Sequence, residues 1–197
     1  MKSYVMVALA MLLMVATCVS AQQDMSPEQA EAMMAWQKAA TPGEFHAFFG
    51  KYAGQWQVDG LYWMAPEAEP IPSQSKCSSK MILGGRFLME EFDGVSMGMP
   101  FQGLGITGYD NTTGQVTMVW YDNMGTVTSI MSGPGTKPGA MLGLEGSMSD
   151  PVSKGDLPFR VELTFISDDE RVFTYYSSMA VGIPEYKMME QTYKRMK

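Results

Sequence analysis

Glu90 and Glu91 form an adjacent pair of carboxylates in an expected strand. In an extended strand, successive side chains point to opposite faces, so the two cannot act together on one substrate. Parity instead groups Arg86, Leu88 and Glu90 on one face and Phe87, Met89 and Glu91 on the other. With the first set turned inward, Arg86 and Glu90 would orient the polar end of a ligand. With the second turned inward, they would form a surface ion pair flanking a buried Phe87–Met89 face. Nucleophilic catalysis needs a Ser or Cys beside a base. His46 is the single histidine, and it stands on the flank of an aromatic helical face, where it reads as a capping or hydrogen-bonding group. Cys77 reads as a small buried residue in a strand, with Lys76 and Lys80 as its basic neighbours. No motif joins it to His46, and no Gly-x-Ser-x-Gly elbow occurs. No residue is assigned a catalytic role.

Metal and cofactor chemistry finds equally little. Zinc favours clustered Cys, His and carboxylate, and one histidine with two cysteines does not make such a cluster. Haem needs an axial ligand, and the segments 171–178 and 185–194 contain no histidine. Methionine is abundant, at 21 residues. Met33-Met34, Met97 with Met99, and Met188-Met189 could offer thioethers to Cu(I). The simpler reading is that flexible methionine fills cores and lines adaptable pockets. No metal and no cofactor is assigned. Phosphate-cradling loops, dinucleotide fingerprints and internal repeats are absent from the sequence. The net charge of -7 and pI near 4.7 repel phosphate backbones, which argues against nucleic acid as a partner. With 46% hydrophobic residues the chain can supply a core and is not of the disordered class.

Residues 1–21 have the layout of a secretory signal peptide: Lys2 in the n-region, an uncharged apolar run from Val5 to Ala16, and small residues at Val19-Ser20-Ala21. Cleavage after Ala21 is expected. The run is shorter than the about 20 residues of a transmembrane helix, and no other stretch approaches that length. Val15-Ala16-Thr17-Cys18 carries the competing outline of a lipoprotein site, in which Cys18 would be lipidated. Residues 22–44 form a helical lead-in. Ser26-Pro27-Glu28-Gln29 starts one helix, with Ser26 as cap and Gln29 completing a capping box. Thr41, Pro42 and Glu44 repeat that pattern for a second, short helix. Its Phe45, Phe48, Phe49 and Tyr52 lie at i, i+3, i+4 and i+7, one aromatic face suited to lid one end of the domain it introduces.

Residues 45–197 form the main domain. After Ala53 helical spacing gives way to alternation, as in Val116, Met118 and Trp120 or Val161, Leu163 and Phe165. Nine turn signals interrupt it: 66–72, Gly84-Gly85, 98–100, 110–114, 122–125, 133–139, 150–158, 167–170 and 182–184. They imply an all-β, antiparallel barrel of about ten strands, preceded by one or two short helices. Gly103, Gly105 and Gly108 would serve tight bends at barrel corners. Aromatics on both faces of a strand, as at Phe173, Tyr175 and Tyr176, suit a closed sheet around a cavity.

Gly54-Gln55-Trp56, directly after the aromatic helix, resembles the Gly-x-Trp signature of the calycins, the lipocalins and their relatives. In those folds the Trp closes one barrel end and packs beside an Arg of the last strand, here Arg195. Residues 81–92, 101–110, His46, and Trp120 with Asp122, Gly125 and Thr126 resemble a bacterial family known as domain of unknown function 1579, over roughly residues 42–195. The resemblance implies a calycin-like barrel and export in many members, hence a periplasmic or extracellular place. It transfers no catalytic residue. The leading expectation is a non-enzymatic exported barrel that binds a small apolar ligand through Arg86, Glu90, Tyr109, Met118 and Trp120, with Gly54, Trp56 and Arg195 closing its end. The alternatives are a filled barrel serving as a structural or interaction module of the envelope, and an enzyme that uses lumen carboxylates.

Overall fold

The computed structural model describes residues 25–197, and the expected leader with its Cys18 lies outside them. The chain divides into two units, the first ending at Ala40 and the second running from Thr41 to Lys197. The first contributes helix α1 (Pro27–Ala40), none of whose residues is buried. Its start is the expected capping box. The Gln29 N–H donates to Ser26 Oγ at 3.3 Å, and the Ser26 N–H donates to Gln29 Oε1 at 3.0 Å. Among the described residues no helix is long and apolar enough to cross a membrane.

The second unit opens with helix α2 (Glu44–Gly50) and continues in ten strands. They are β1 (Gly54–Tyr62), β2 (Ile71–Ile82), β3 (Phe87–Ser96), β4 (Met99–Asp110), β5 (Gln115–Asp122), β6 (Ser129–Pro134), β7 (Leu142–Ser149), β8 (Asp156–Ser167), β9 (Glu170–Ser177) and β10 (Tyr186–Arg195). Each pairs antiparallel with the next, and β10 returns to β1 with Trp56 opposite Arg195, so the sheet closes. An even number of strands permits an up-and-down meander to close antiparallel, which leaves no free sheet edge. Every expected turn signal falls at or beside a connection between strands. Alternation decides what is inside. On β8, Leu157, Phe159, Val161 and Leu163 are buried while Arg160 and Glu162 face outward.

Two local expectations need correction. Helix α2 does not begin at Thr41-Pro42 with Glu44 as the box partner. Its N-cap is Gly43, whose N–H donates to His46 Nδ1 at 2.9 Å. The imidazole thus takes the place expected of Glu44. The β4 glycines, moreover, do not serve corners. A Cβ on Gly103 would meet the Trp120 ring at 2.5 Å, and one on Gly108 would meet Phe87 at 2.7 Å. Gly103 and Gly105 are bare so that the Trp120 indole can lie across β4.

The aromatic face of α2 covers one barrel end, as its spacing implied. Phe45 and Phe49 are buried, as is Tyr52 just beyond the helix. Phe45 stacks on Tyr109 at 4.2 Å, and Phe48 meets Phe165 edge-on at 4.7 Å. Trp56 is wholly enclosed beneath them and donates its indole N–H to the Tyr52 carbonyl at 3.0 Å. The Arg195 guanidinium lies 4.3 Å from the Trp56 ring. Its Nη1 donates to the Ala53 carbonyl at 2.9 Å and its Nη2 to the Asp168 carbonyl at 2.8 Å. Gly54 is required there twice over: its φ is +137°, and a Cβ would sit 2.7 Å from Arg195 Nη1.

Replacing Trp56 by Ala empties the plug and should destabilise the protein by about 3–5 kcal/mol in chemical denaturation. A loss below about 1 kcal/mol would contradict its closing role. His46 makes a pH-dependent contribution. Burial lowers its pKa; a hydrogen bond with the Tyr109 backbone opposes this, and the Arg86 charge adds to the lowering. The unfolded chain, at about 6.5, therefore takes up the proton first. This contribution is complete above about pH 6.5 and is lost as pH falls through the lower folded value. Denaturation of wild type and His46→Gln between about pH 7 and pH 5 should show a smaller decline in the variant.

Candidate functional site

The floor of the barrel carries a buried ion pair. Arg171 enters from the start of β9 and Glu90 from β3, with side chains 3% and 8% exposed. Arg171 Nη2 donates to Glu90 Oε1. The same oxygen accepts from Ser79 Oγ at 3.1 Å and faces Cys77 Sγ at 3.8 Å. The guanidinium lies over Tyr193 at 4.4 Å, Trp56 at 5.1 Å and Tyr52 at 5.3 Å. The pair thus rests on the aromatic plug of the closed end. Burial works against the charge on Arg171, but Glu90 together with Tyr193 and Cys77 outweighs it and holds the Arg pKa above its ordinary value. Burial, with Glu90 beside it, pushes the Cys77 thiol up to about 12, so it stays protonated and is no nucleophile. Burial likewise raises Tyr193 well above a free phenol, and its hydroxyl donates to Gln191 Oε1 at 3.1 Å. Arg171 Nε is buried and has no hydrogen-bond partner. Leaving such a donor unmet costs about 1–3 kcal/mol.

Above this floor lies a cavity of about 490 Å³. Its walls are apolar: Phe92, Phe101, Met118, Trp120, Met131, Phe159, Leu163 and Phe173. Its upper lining comes from the connections at the end opposite α2, with Trp63 and Met64 after β1, Met97 after β3, Met124 and Val127 after β5, and Met179 after β9. At this mouth the Trp120 indole N–H donates to Asp122 Oδ2 at 2.7 Å, which fixes the ring over the bare Gly103 and Gly105. A space of this size, with apolar walls and a few convergent polar groups, is the usual form of a small-molecule site. Among the described residues no group of three or more His, Cys, Asp or Glu could hold a metal ion.

Of the residues expected to line the barrel, Glu90, Met118 and Trp120 do so. Arg86 does not. It lies in the β2–β3 turn, is exposed, and donates to the Leu83 carbonyl at 3.2 Å. Strand β3 begins only at Phe87, so parity carries Leu88 and Glu90 inward while Arg86 stays on the turn. The alternative of a buried Phe87–Met89 face fails too, because Phe87 is exposed and Leu88 buried. Tyr109 faces inward below the cavity, where it packs under Phe45 as part of the lid contact. The partner that sequence reasoning missed is Arg171. Its signal was parity: Arg171, Phe173 and Tyr175 share a face, a cation in phase with two aromatics. Cys77 and Ser79 follow the same rule on β2.

Truncating one member of the floor pair leaves a buried charge alone. Glu90→Ala should therefore destabilise by about 3–5 kcal/mol, and the double variant Glu90→Leu with Arg171→Met should regain most of that loss. A thermodynamic cycle on the three variants measures both. Additive losses would mean that the two groups are not coupled.

No curated protein matches the chain. Among solved structures, the crystal structure of Rv2717c from M. tuberculosis is similar at 20% identity, covering 80% of this chain and 100% of that one with a TM-score of 0.55. At that identity the likeness is one of fold. A redesigned beta barrel, b11L5F_LGL, is 16% identical over 80% of this chain and 100% of its own, with a TM-score of 0.40. The family model described as "Protein of unknown function (DUF1579)" matches residues 41–195, which takes in α2 and all ten strands. With its closing Trp and its enclosed sheet accounted for residue by residue, the chain belongs to the DUF1579 family.

Proposed function

We propose that this protein is exported and binds a small, largely apolar molecule in its barrel without transforming it. The observation that carries the reading is the cavity of about 490 Å³ above the Arg171–Glu90 floor. A barrel filled for structure alone packs side chains to its axis, and ten strands here leave room instead. The lining supports uptake of more than one shape. Nine methionines contribute to it, and their unbranched thioether side chains adapt to what they enclose. Binding without catalysis is favoured by the state of the reactive groups. Glu90 is engaged by Arg171 and Ser79, and Cys77 stays a thiol. Export rests on the layout of residues 1–21.

Native mass spectrometry of the protein purified from the envelope of its expression host tests this reading. The expected result is a mass above the polypeptide that disappears on denaturation, on a chain that begins after Ala21. Met118→Trp, which fills the cavity from β5, should fold and lose the extra mass. A bare wild-type polypeptide that also fails to take up added apolar probes would favour the filled structural module. A covalent excess of lipid size, on a chain beginning at Cys18, would replace a free exported protein with an anchored one.

A further inference from the structure

The charges around the cavity are unevenly distributed. Arg171 is the one cation among its described lining residues, and Glu90 and Asp122 are its anions. Glu90 already takes Arg171 Nη2, and Asp122 already takes the Trp120 indole N–H at the mouth. The guanidinium nevertheless has N–H groups to spare: only one, on Nη2, is directed at Glu90, and the side chain lines the cavity. Buried donors in native proteins are nearly always paired, so an unpaired one on a cavity floor asks what supplies its acceptor. The described side chains nearest to it leave little choice. Ser79 and Cys77 are turned to Glu90, and the Tyr193 hydroxyl is turned to Gln191.

We propose that the barrel selects apolar molecules carrying one uncharged hydrogen-bond acceptor, a ketone or ester carbonyl, at the end that enters first, and that the remaining N–H edge of the Arg171 guanidinium is the donor this oxygen meets. The proposal rests on the reading of the barrel as a binding site and names the class of ligand that site takes. A carboxylate is disfavoured at the same point. It would lie beside Glu90 with no second cation to offset it, in surroundings that screen charge poorly. An ammonium group is disfavoured because it would be driven against Arg171. A plain alkane fills the walls but leaves that donor unmet. A neutral carbonyl meets the donor and adds no charge, while its chain lies along Phe92, Phe101, Phe159 and Leu163 towards the mouth.

The test uses the full-length protein and the neutral fluorophore N-phenylnaphthylamine, displaced by nonane, methyl heptyl ketone, octanoate and octylammonium, each affinity referenced to the compound's own partition into hexadecane. The ketone is expected to be the tightest on this scale. In Arg171→Lys, which keeps a cation opposite Glu90 but lacks the guanidinium's remaining N–H edge, the ketone should weaken by about tenfold while nonane is unchanged. The infrared carbonyl stretch of the ketone bound to wild type should lie below its value in hexane, a readout that stands even where the variant fails to fold. Octanoate or octylammonium as the tightest ligand, or a bound stretch equal to that in hexane, overturns the neutral acceptor and leaves the barrel a binding site. A protein that does not bind the fluorophore at all removes the binding site itself, and this inference with it.

Discussion

Trp56 meets two guanidinium groups, and that contact joins the two ends of the problem this fold solves. Arg195, 4.3 Å from its ring, ties the last strand to the turn before the first and so completes the closure of the sheet. Arg171, at 5.1 Å, stands on the lumen side with Glu90 and forms the floor of the cavity. A cation over an indole is worth about 0.5–2 kcal/mol, more when water is excluded, as it is around this buried ring. The ring therefore serves as the seal of the barrel and as the support of its polar site. It packs beside both guanidinium groups while their N–H edges are directed at carbonyls and at Glu90.

The buried ion pair is better understood as a positioning device than as a source of stability. Taking two charges out of water consumes most of what their attraction returns. What the pair contributes is a polar point at the bottom of an apolar shaft, held by β3 and β9 from different parts of the sheet. The cavity above it survives because the wall residues are placed to avoid the axis. Trp120 lies flat over the bare Gly103 and Gly105, fixed by Asp122, where a side chain on β4 would push it into the lumen. The methionines make the remaining wall deformable.

Much of this could be read from local pattern. The Ser26 capping box, the aromatic face of Phe45, Phe48, Phe49 and Tyr52, the nine turns and the inward set on β8 all depend on interactions within a few residues. His46 shows where such reading stops. Its place on the flank of the helix was legible, but its role as the acceptor for the Gly43 N–H depends on where the helix starts, and helix starts are the least determined part of a pattern. Arg86 shows the same limit at a strand start. It stands immediately before β3, and that one position decides between lumen and solvent.

The amino-acid sequence by itself determined the class of the protein, an all-β chain, and grouped Glu90 with Leu88 on one face without deciding which face turns inward; the closing role of Gly54, Trp56 and Arg195 came from the resemblance to the calycins. The class and the grouping rest on period-two alternation and on turn chemistry, which act between neighbours in the chain. Only the tertiary structure decided that the partner of Glu90 is Arg171, 81 positions away, and not Arg86, four positions away. It also decided that Tyr109 belongs to the lid and that a cavity remains above the floor. The physical reason is that parity assigns a side chain to a face but carries no information about its height in the barrel. Height depends on strand register around the whole closed sheet, and register is settled only when β10 meets β1.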